Sequence, residues 1–186
     1  MVATIQVNKQ SIKRLLESGK EQMFLIPEYQ RPYSWTENET KTLFYDLLEF
    51  TENETKRTNE TEGTYFLGSI VSYENEDGEQ EIIDGQQRIT SLFLLLRAIY
   101  TKLTSYENKT VEQENFIRQI EPALWKQAKL TGEVDYTSVL ITSRVIDNEG
   151  NKILQNILET GVADPEATDN YSKNYILFQK LFDKLC

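Results

Sequence analysis

The sequence predicts an α+β fold, a small mixed sheet with helices packed on it and a mostly helical portion behind. Three observations carry this reading. Short runs of strand formers, MFLI at 23–26, YFLGSIVSY at 65–73 and QEII at 80–83, are each closed by turn or breaker residues. A long helix-period apolar pattern follows the last of them. Beyond residue 110 the pattern is helical again, interrupted by one short extended stretch.

Taken in order, Thr4–Val7 reads as a short strand, and Ser11–Ser18 as a helix with Ile12, Leu15 and Leu16 on one face and Gly19 at its C-terminal cap. Met23–Ile26 is a strand stopped by Pro27. IPEYQRPYSW, residues 26–35, holds two prolines and three aromatics and reads as an ordered loop. Thr36 and Glu39 form a capping-box pattern, opening a helix whose apolar side is Leu43, Phe44, Leu47, Leu48 and Phe50. TENETK recurs at 36–41 and 51–56, but the second copy runs into KRTNETEG, where nothing can be buried. Residues 51–63 are therefore expected to be a surface loop. Tyr65–Tyr73 and Gln80–Ile83 pair as a hairpin across Asp77-Gly78, and Asp84-Gly85 ends the second strand. Ile89, Leu92, Phe93, Leu96, Ile99, Tyr100 and Leu103 then share a helix face, which Leu94 and Leu95 widen until most of the helix is covered. A helix over Val111–Gln119, reaching at most to Trp125, an extended stretch over Tyr136–Thr142, and helices over Lys152–Thr160 (closed by Gly161) and Tyr171–Leu185 complete the chain. The sheet is expected from Thr4–Val7, Met23–Ile26, Tyr65–Tyr73 and Gln80–Ile83, in an order the sequence does not give. Residues 1–108 read as one domain and 109–186 as a helical extension that ends on an uncapped apolar pattern, as in a piece of a longer protein.

Composition removes several kinds of chemistry. The chain has no histidine and one cysteine, Cys186. Ser-His-Asp and Cys-His catalysis, histidine nucleases, cysteine zinc clusters and internal disulfides are thereby excluded. A net charge of −10 argues against broad phosphate neutralisation, so any nucleic-acid contact is local. No apolar run approaches the roughly 20 residues of a membrane span. The N-terminus resembles neither a signal nor a transit peptide, which leaves a cytoplasmic expectation.

Asp84-Gly85-Gln86-Gln87-Arg88 lies at a strand-to-helix junction, where the first backbone N–H groups lack partners and carry the positive end of the helix dipole. An anion is favoured there. Gly85 lets a ligand approach the backbone, Arg88 offers a bidentate guanidinium to phosphate, and Gln86 and Gln87 suit a water, ribose or base edge. Asp84 is placed either to cap the helix or to hold a divalent cation through water. The plain alternative is a tight turn with Asp84 as cap, solvated glutamines and Arg88 in a surface ion pair. The loop adds a second Gln-Arg pair, Gln30-Arg31, with Tyr29, Tyr33 and Trp35 beside it to stack on a base. Its plain alternative is a proline-pinned loop whose aromatics cap the core.

IPEYQRPYSW, a helix, YFLGSIV and IIDGQQRITSLFLLLRA together resemble, in order and spacing over residues 20–103, the N-terminal domain of GmrSD-type modification-dependent restriction endonucleases. More distantly they are similar to the ParB/sulfiredoxin-like nucleotide-binding fold. The resemblance implies an NTP-binding and NTP-hydrolysing regulatory domain of a bacterial phage-defence system. Its cofactors would be a nucleoside triphosphate and Mg²⁺, and its partners DNA and a C-terminal nuclease domain or subunit. Carried onto this chain, it marks Asp84, Gln87 and Arg88 as catalytic and Gly85, Gln86, Gln30, Arg31, Tyr33 and Trp35 as nucleotide-binding, with Glu28 a neighbouring acid or base. Ser91 stands where many relatives carry threonine. The family's His-Asn-His nuclease has no counterpart here, as the lack of histidine requires. Two other functions compete: a modified-DNA reader built on the aromatic loop, and a protein-interaction domain docking through an exposed Tyr171–Leu185 helix.

Overall fold

The computed structural model describes residues 23–56, 65–128, 130–146 and 148–185. The expected elements at Thr4–Val7 and Ser11–Ser18 lie outside the described residues. Within them the fold is α+β, with strands β1 (Phe24–Ile26), β2 (Val71–Glu74), β3 (Gln80–Asp84), β4 (Trp125–Gln127), β5 (Val134–Val139) and β6 (Ile141–Ser143). The helices are α1 (Glu37–Lys56), α2 (Gln86–Ser105), α3 (Val111–Leu124), α4 (Asn148–Thr160) and α5 (Asn170–Asp183).

The main sheet is mixed, in the order β2-β3-β1-β6. β2 and β3 form the expected antiparallel hairpin, and β1 runs parallel to both β3 and β6. β6 was not expected in this sheet. It joins because Val139, Leu140 and Ile141 are a fully buried apolar run, and the Leu140 carbonyl takes the Phe24 N–H at 2.9 Å while its own N–H reaches Leu124 O at 2.9 Å. One residue thus ties the main sheet to the end of α3 and to the small β4-β5 sheet.

Two other expectations need correction. Residues 65–70 are not strand; the strand begins at Val71. Gly68 sits at φ 100°, outside the extended region open to other residues, and turns the run across the start of α2. Residues 51–56 are not loop but the last turns of α1. Nothing in TENETK breaks a helix, and Thr51 closes back on Leu47 O at 2.8 Å. The Thr36–Glu39 cap is present, with the Thr36 N–H donating to Glu39 Oε2 at 2.8 Å.

α2 is the spine of the molecule. Ile89, Phe93, Leu94 and Ala98 are wholly inaccessible, and Phe24 meets Phe93 edge to face at 6.1 Å. Burying side chains of this size contributes about 1.5–3 kcal/mol each. The protein-interaction reading required α5 to present its apolar face outward. Instead Tyr171, Tyr175, Phe178 and Leu181 are buried within this chain, and Phe44 of α1 packs on Phe178 and Phe182. The face that looked available for a partner is part of the core.

Candidate functional site at the amino end of α2

β3 delivers Asp84 to the rim and Gly85, at φ 87°, turns the chain into α2. A Cβ on Gly85 would lie 3.0 Å from both Ser69 O and Ile70 Cγ1, so residues 69–70 close over the turn and only glycine fits beneath them. The helix opens without a side-chain cap and with no acidic residue in its first turn. Asp84 therefore does not serve as cap.

The glutamines are neither solvated nor open. Both are buried, and both reach across to the 27–35 loop. Gln86 Nε2 donates to Arg31 O at 3.1 Å. Gln87 Nε2 donates to Pro32 O at 3.2 Å, while its Oε1 accepts the backbone N–H groups of Ser34 at 2.7 Å and Trp35 at 3.2 Å. Gln30 returns the contact, donating to Ile83 O at 2.8 Å. Gln86 and Gln87 thus satisfy the loop's backbone much as a neighbouring strand would, and Gln30 ties the loop to the end of β3.

Behind this clamp lies a buried polar relay. Ser91 Oγ donates to Gln87 O at 2.9 Å and meets Tyr33 Oη at 2.7 Å. Asn174 of α5 donates to Tyr33 Oη at 3.0 Å and to Trp35 O at 2.8 Å. Tyr33 stacks on Tyr171 at 4.8 Å, and burial raises its pKa, which keeps the phenol neutral. Tyr33 and Trp35 face the core; Tyr29, Arg31 and Glu28 face outward.

The arginines differ. Arg88 donates through Nη1 to Ser69 O at 2.9 Å, with its guanidinium seated where a Cβ on Gly68 would come within 2.7 Å. Among the described residues Arg31 makes no side-chain hydrogen bond or ion pair. Its carbonyl is tied to Gln86, and the residue is exposed.

The comparison with protein families matches residues 12–185 to the GmrSD restriction endonuclease, N-terminal domain. The chain belongs to this family. No curated protein matches it. The GmrSD N-terminal domain spans the helical half as well as the motif blocks, and it places the chain in a restriction system. Among the described residues no helix is long and apolar enough to cross a membrane.

In this GmrSD N-terminal domain the two expected motif blocks are brought together, since Gln86 and Gln87 hold the backbone of residues 31–35. Sequence reasoning missed the other partners, Ser69, Gly68, Tyr171 and Asn174. Asn174 had a visible signal: an amide one position before Tyr175, within the apolar period of a helix. Two concavities lie away from residues 84–88. One of about 750 Å³ runs between α1 and α5, and one of about 270 Å³ lies by Tyr33, Glu149 and Asp169.

A neighbouring contact gives a pH prediction. Tyr29 Oη donates to Glu81 Oε1 at 2.8 Å. Burial first, and the Glu81 carboxylate next, push the Tyr29 phenol up to about 12, while the tyrosine hydroxyls hold Glu81 below the usual carboxylate range. The raised phenol contributes stability that is complete below its ordinary pKa of about 10 and is lost as pH rises toward 12. The lowered carboxyl contributes above its ordinary pKa and loses this as pH falls through the lowered value. Tyrosinate absorbance should show several late-titrating groups, of which Tyr29→Phe removes one. An unchanged titration curve in that variant would mean the contact does not form in solution.

Proposed function

We propose that the chain is the nucleotide-binding and NTP-hydrolysing regulatory domain of a modification-dependent restriction system, acting in the cytoplasm with a nuclease part that cuts DNA. The observation that supports this is the amino end of α2: a terminus without a side-chain cap and with no acidic residue in its first turn, Arg88 within that turn and the Arg31 backbone beside it. Backbone N–H groups and the helix dipole favour phosphate there, and the two guanidiniums add charge-assisted contacts. All the proposed ligands lie within residues 1–108, and 109–186 serve as their support through α5.

Gln87, with its amide engaged at both ends by the loop, is a positioning residue in this reading. Arg88 meets the phosphoryl charge, at the cost of its single bond to Ser69 O. Asp84, exposed at the end of β3, offers one carboxylate to a Mg²⁺ that arrives with the nucleotide. No cluster of three or more acidic, cysteine or histidine ligands exists among the described residues. That suits Mg²⁺, which is commonly held by one or two carboxylates and the substrate's phosphates. When bound, the ion would neutralise phosphate charge.

Calorimetric titration of ATP, GTP, CTP and UTP with Mg²⁺ tests the proposal. One or more nucleotides should bind the wild-type chain, and Arg88→Ala should weaken that binding at least tenfold, as loss of a charge-assisted contact of about 1.5–3 kcal/mol requires. Equal affinity in a variant with an unchanged circular-dichroism spectrum would remove the nucleotide from the α2 terminus.

A further inference from the structure

The groove between α1 and α5 has a local charge opposite to that of the chain. Four lysines face it, Lys41 from α1 and Lys173, Lys180 and Lys184 from α5 and its cap, against the two carboxylates Glu37 and Asp183. Asp183 is engaged outside the groove, with Lys102 of α2 at 2.6 Å, and Glu37 pairs with Lys41 within it, which leaves the three α5 lysines as the groove's uncompensated charge. Lys173, Lys180 and Lys184 make no ion pair among the described residues, although Lys180 is near enough to help hold Glu37 below the usual carboxylate range, behind the larger effect of Lys41.

The three α5 lysines recur at i, i+7 and i+11, which puts them on one stripe about 16 Å long. Between that stripe and Lys41 lie Leu177 and the half-exposed ring of Tyr45. We propose that this groove is a DNA track, in which the lysines contact phosphates along one strand. The inference rests on the chain's place in a restriction system but not on its nucleotide. A stripe of about 16 Å passes roughly five phosphates at about 3.4 Å per strand. Lysine, a point charge on a flexible stem, suits phosphates without reading bases. The apolar strip suits sugars and base faces. An acidic protein segment is the competing occupant; the chain's place in a restriction system makes DNA the one proposed. The acidic remainder of the surface confines the strand to this face.

Fluorescence anisotropy with a labelled duplex and a labelled single strand, without nucleotide, tests this. Affinity should fall roughly 50- to 100-fold between about 50 and 200 mM salt, the dependence of about four phosphate contacts. The triple variant Lys173→Ala, Lys180→Ala, Lys184→Ala should lose at least tenfold at about 0.1 M salt and most of that slope, and the corresponding triple Lys→Arg variant should retain both. Three results would overturn the proposal: wild-type DNA binding by the folded triple alanine variant, no salt-dependent binding of either DNA, or lysine-dependent binding of a polyglutamate peptide where DNA does not bind. The two sites fail separately. Arg88→Ala should leave DNA anisotropy unchanged, and the lysine triple should leave the nucleotide titration unchanged.

Discussion

Replacing Gln87 by Ala is expected to lower stability by about 2–4 kcal/mol. The substitution removes one amide and leaves three backbone groups, the Ser34 and Trp35 N–H and the Pro32 carbonyl, without the partner they now have. Each fully buried group left unpaired costs about 1–3 kcal/mol. Ser34 is exposed, so water recovers part of its share. In a domain of this size the loss corresponds to a fall in Tm of roughly 5–12 °C. Gln87→Glu keeps the acceptor for both N–H groups but sets a carboxylate against Pro32 O, and should recover about half. Thermal and urea unfolding followed by circular dichroism decide the matter. If Gln87→Ala abolished hydrolysis and left the unfolding midpoint in place, the residue would act on the reaction and not on the loop.

The second large effect is expected at Arg97, the most deeply buried cation described. Its guanidinium donates to Leu158 O at 3.0 Å and Thr101 Oγ1 at 2.6 Å, lies over the rings of Tyr100 and Trp125 at 5.3 and 5.2 Å, and meets no carboxylate among the described residues. Burial lowers its pKa, but a guanidinium stays charged. Arg97→Ala should cost about 3–5 kcal/mol, through the lost packing of a long side chain and the orphaned Leu158 carbonyl. Arg97→Met, which fills most of the volume and removes the desolvated charge, should cost less than about 1.5 kcal/mol. Gly161 offers an independent check. It closes α4 at φ 72°, and a Cβ there would stand 2.5 Å from Arg97 Nη2, on a guanidinium group held in place by the hydrogen bonds of Nε and Nη1. Gly161→Ala should therefore cost about 2–4 kcal/mol alone and clearly less beside Arg97→Met. Simple additivity in that double-mutant cycle would show that the guanidinium does not hold the glycine's place.

Local pattern made several parts legible. The β2-β3 hairpin, α2 and the closing glycine of α4 follow from alternation, period and Gly161, and the family from three motif blocks in order. What the pattern missed depends on distant partners. Residues 65–70 have strand propensity, yet Gly68 and the Arg88 guanidinium turn them over the site. The second TENETK copy has no apolar face, yet nothing in it stops a helix already started. β6 is short enough that its place beside β1 appears only when Phe24 and Leu140 are seen to share a hydrogen bond. The glutamines of the motif were legible as polar groups at a helix mouth, but their direction was not. A glutamine that holds a loop and one that holds a ligand have the same neighbours in sequence.

Tyr33 and Asn174 are 141 positions apart, and the loop between Pro27 and Trp35 depends on that late contact for its final fit. During synthesis the loop emerges early and waits. At about 5–20 residues per second, its α5 partner follows only on the order of ten seconds later. Through that interval the prolines and aromatics of the loop are available to chaperones. The loop is completed only once α5 has left the ribosome, so a nascent chain interrupted before α5 should carry the motif without a settled loop.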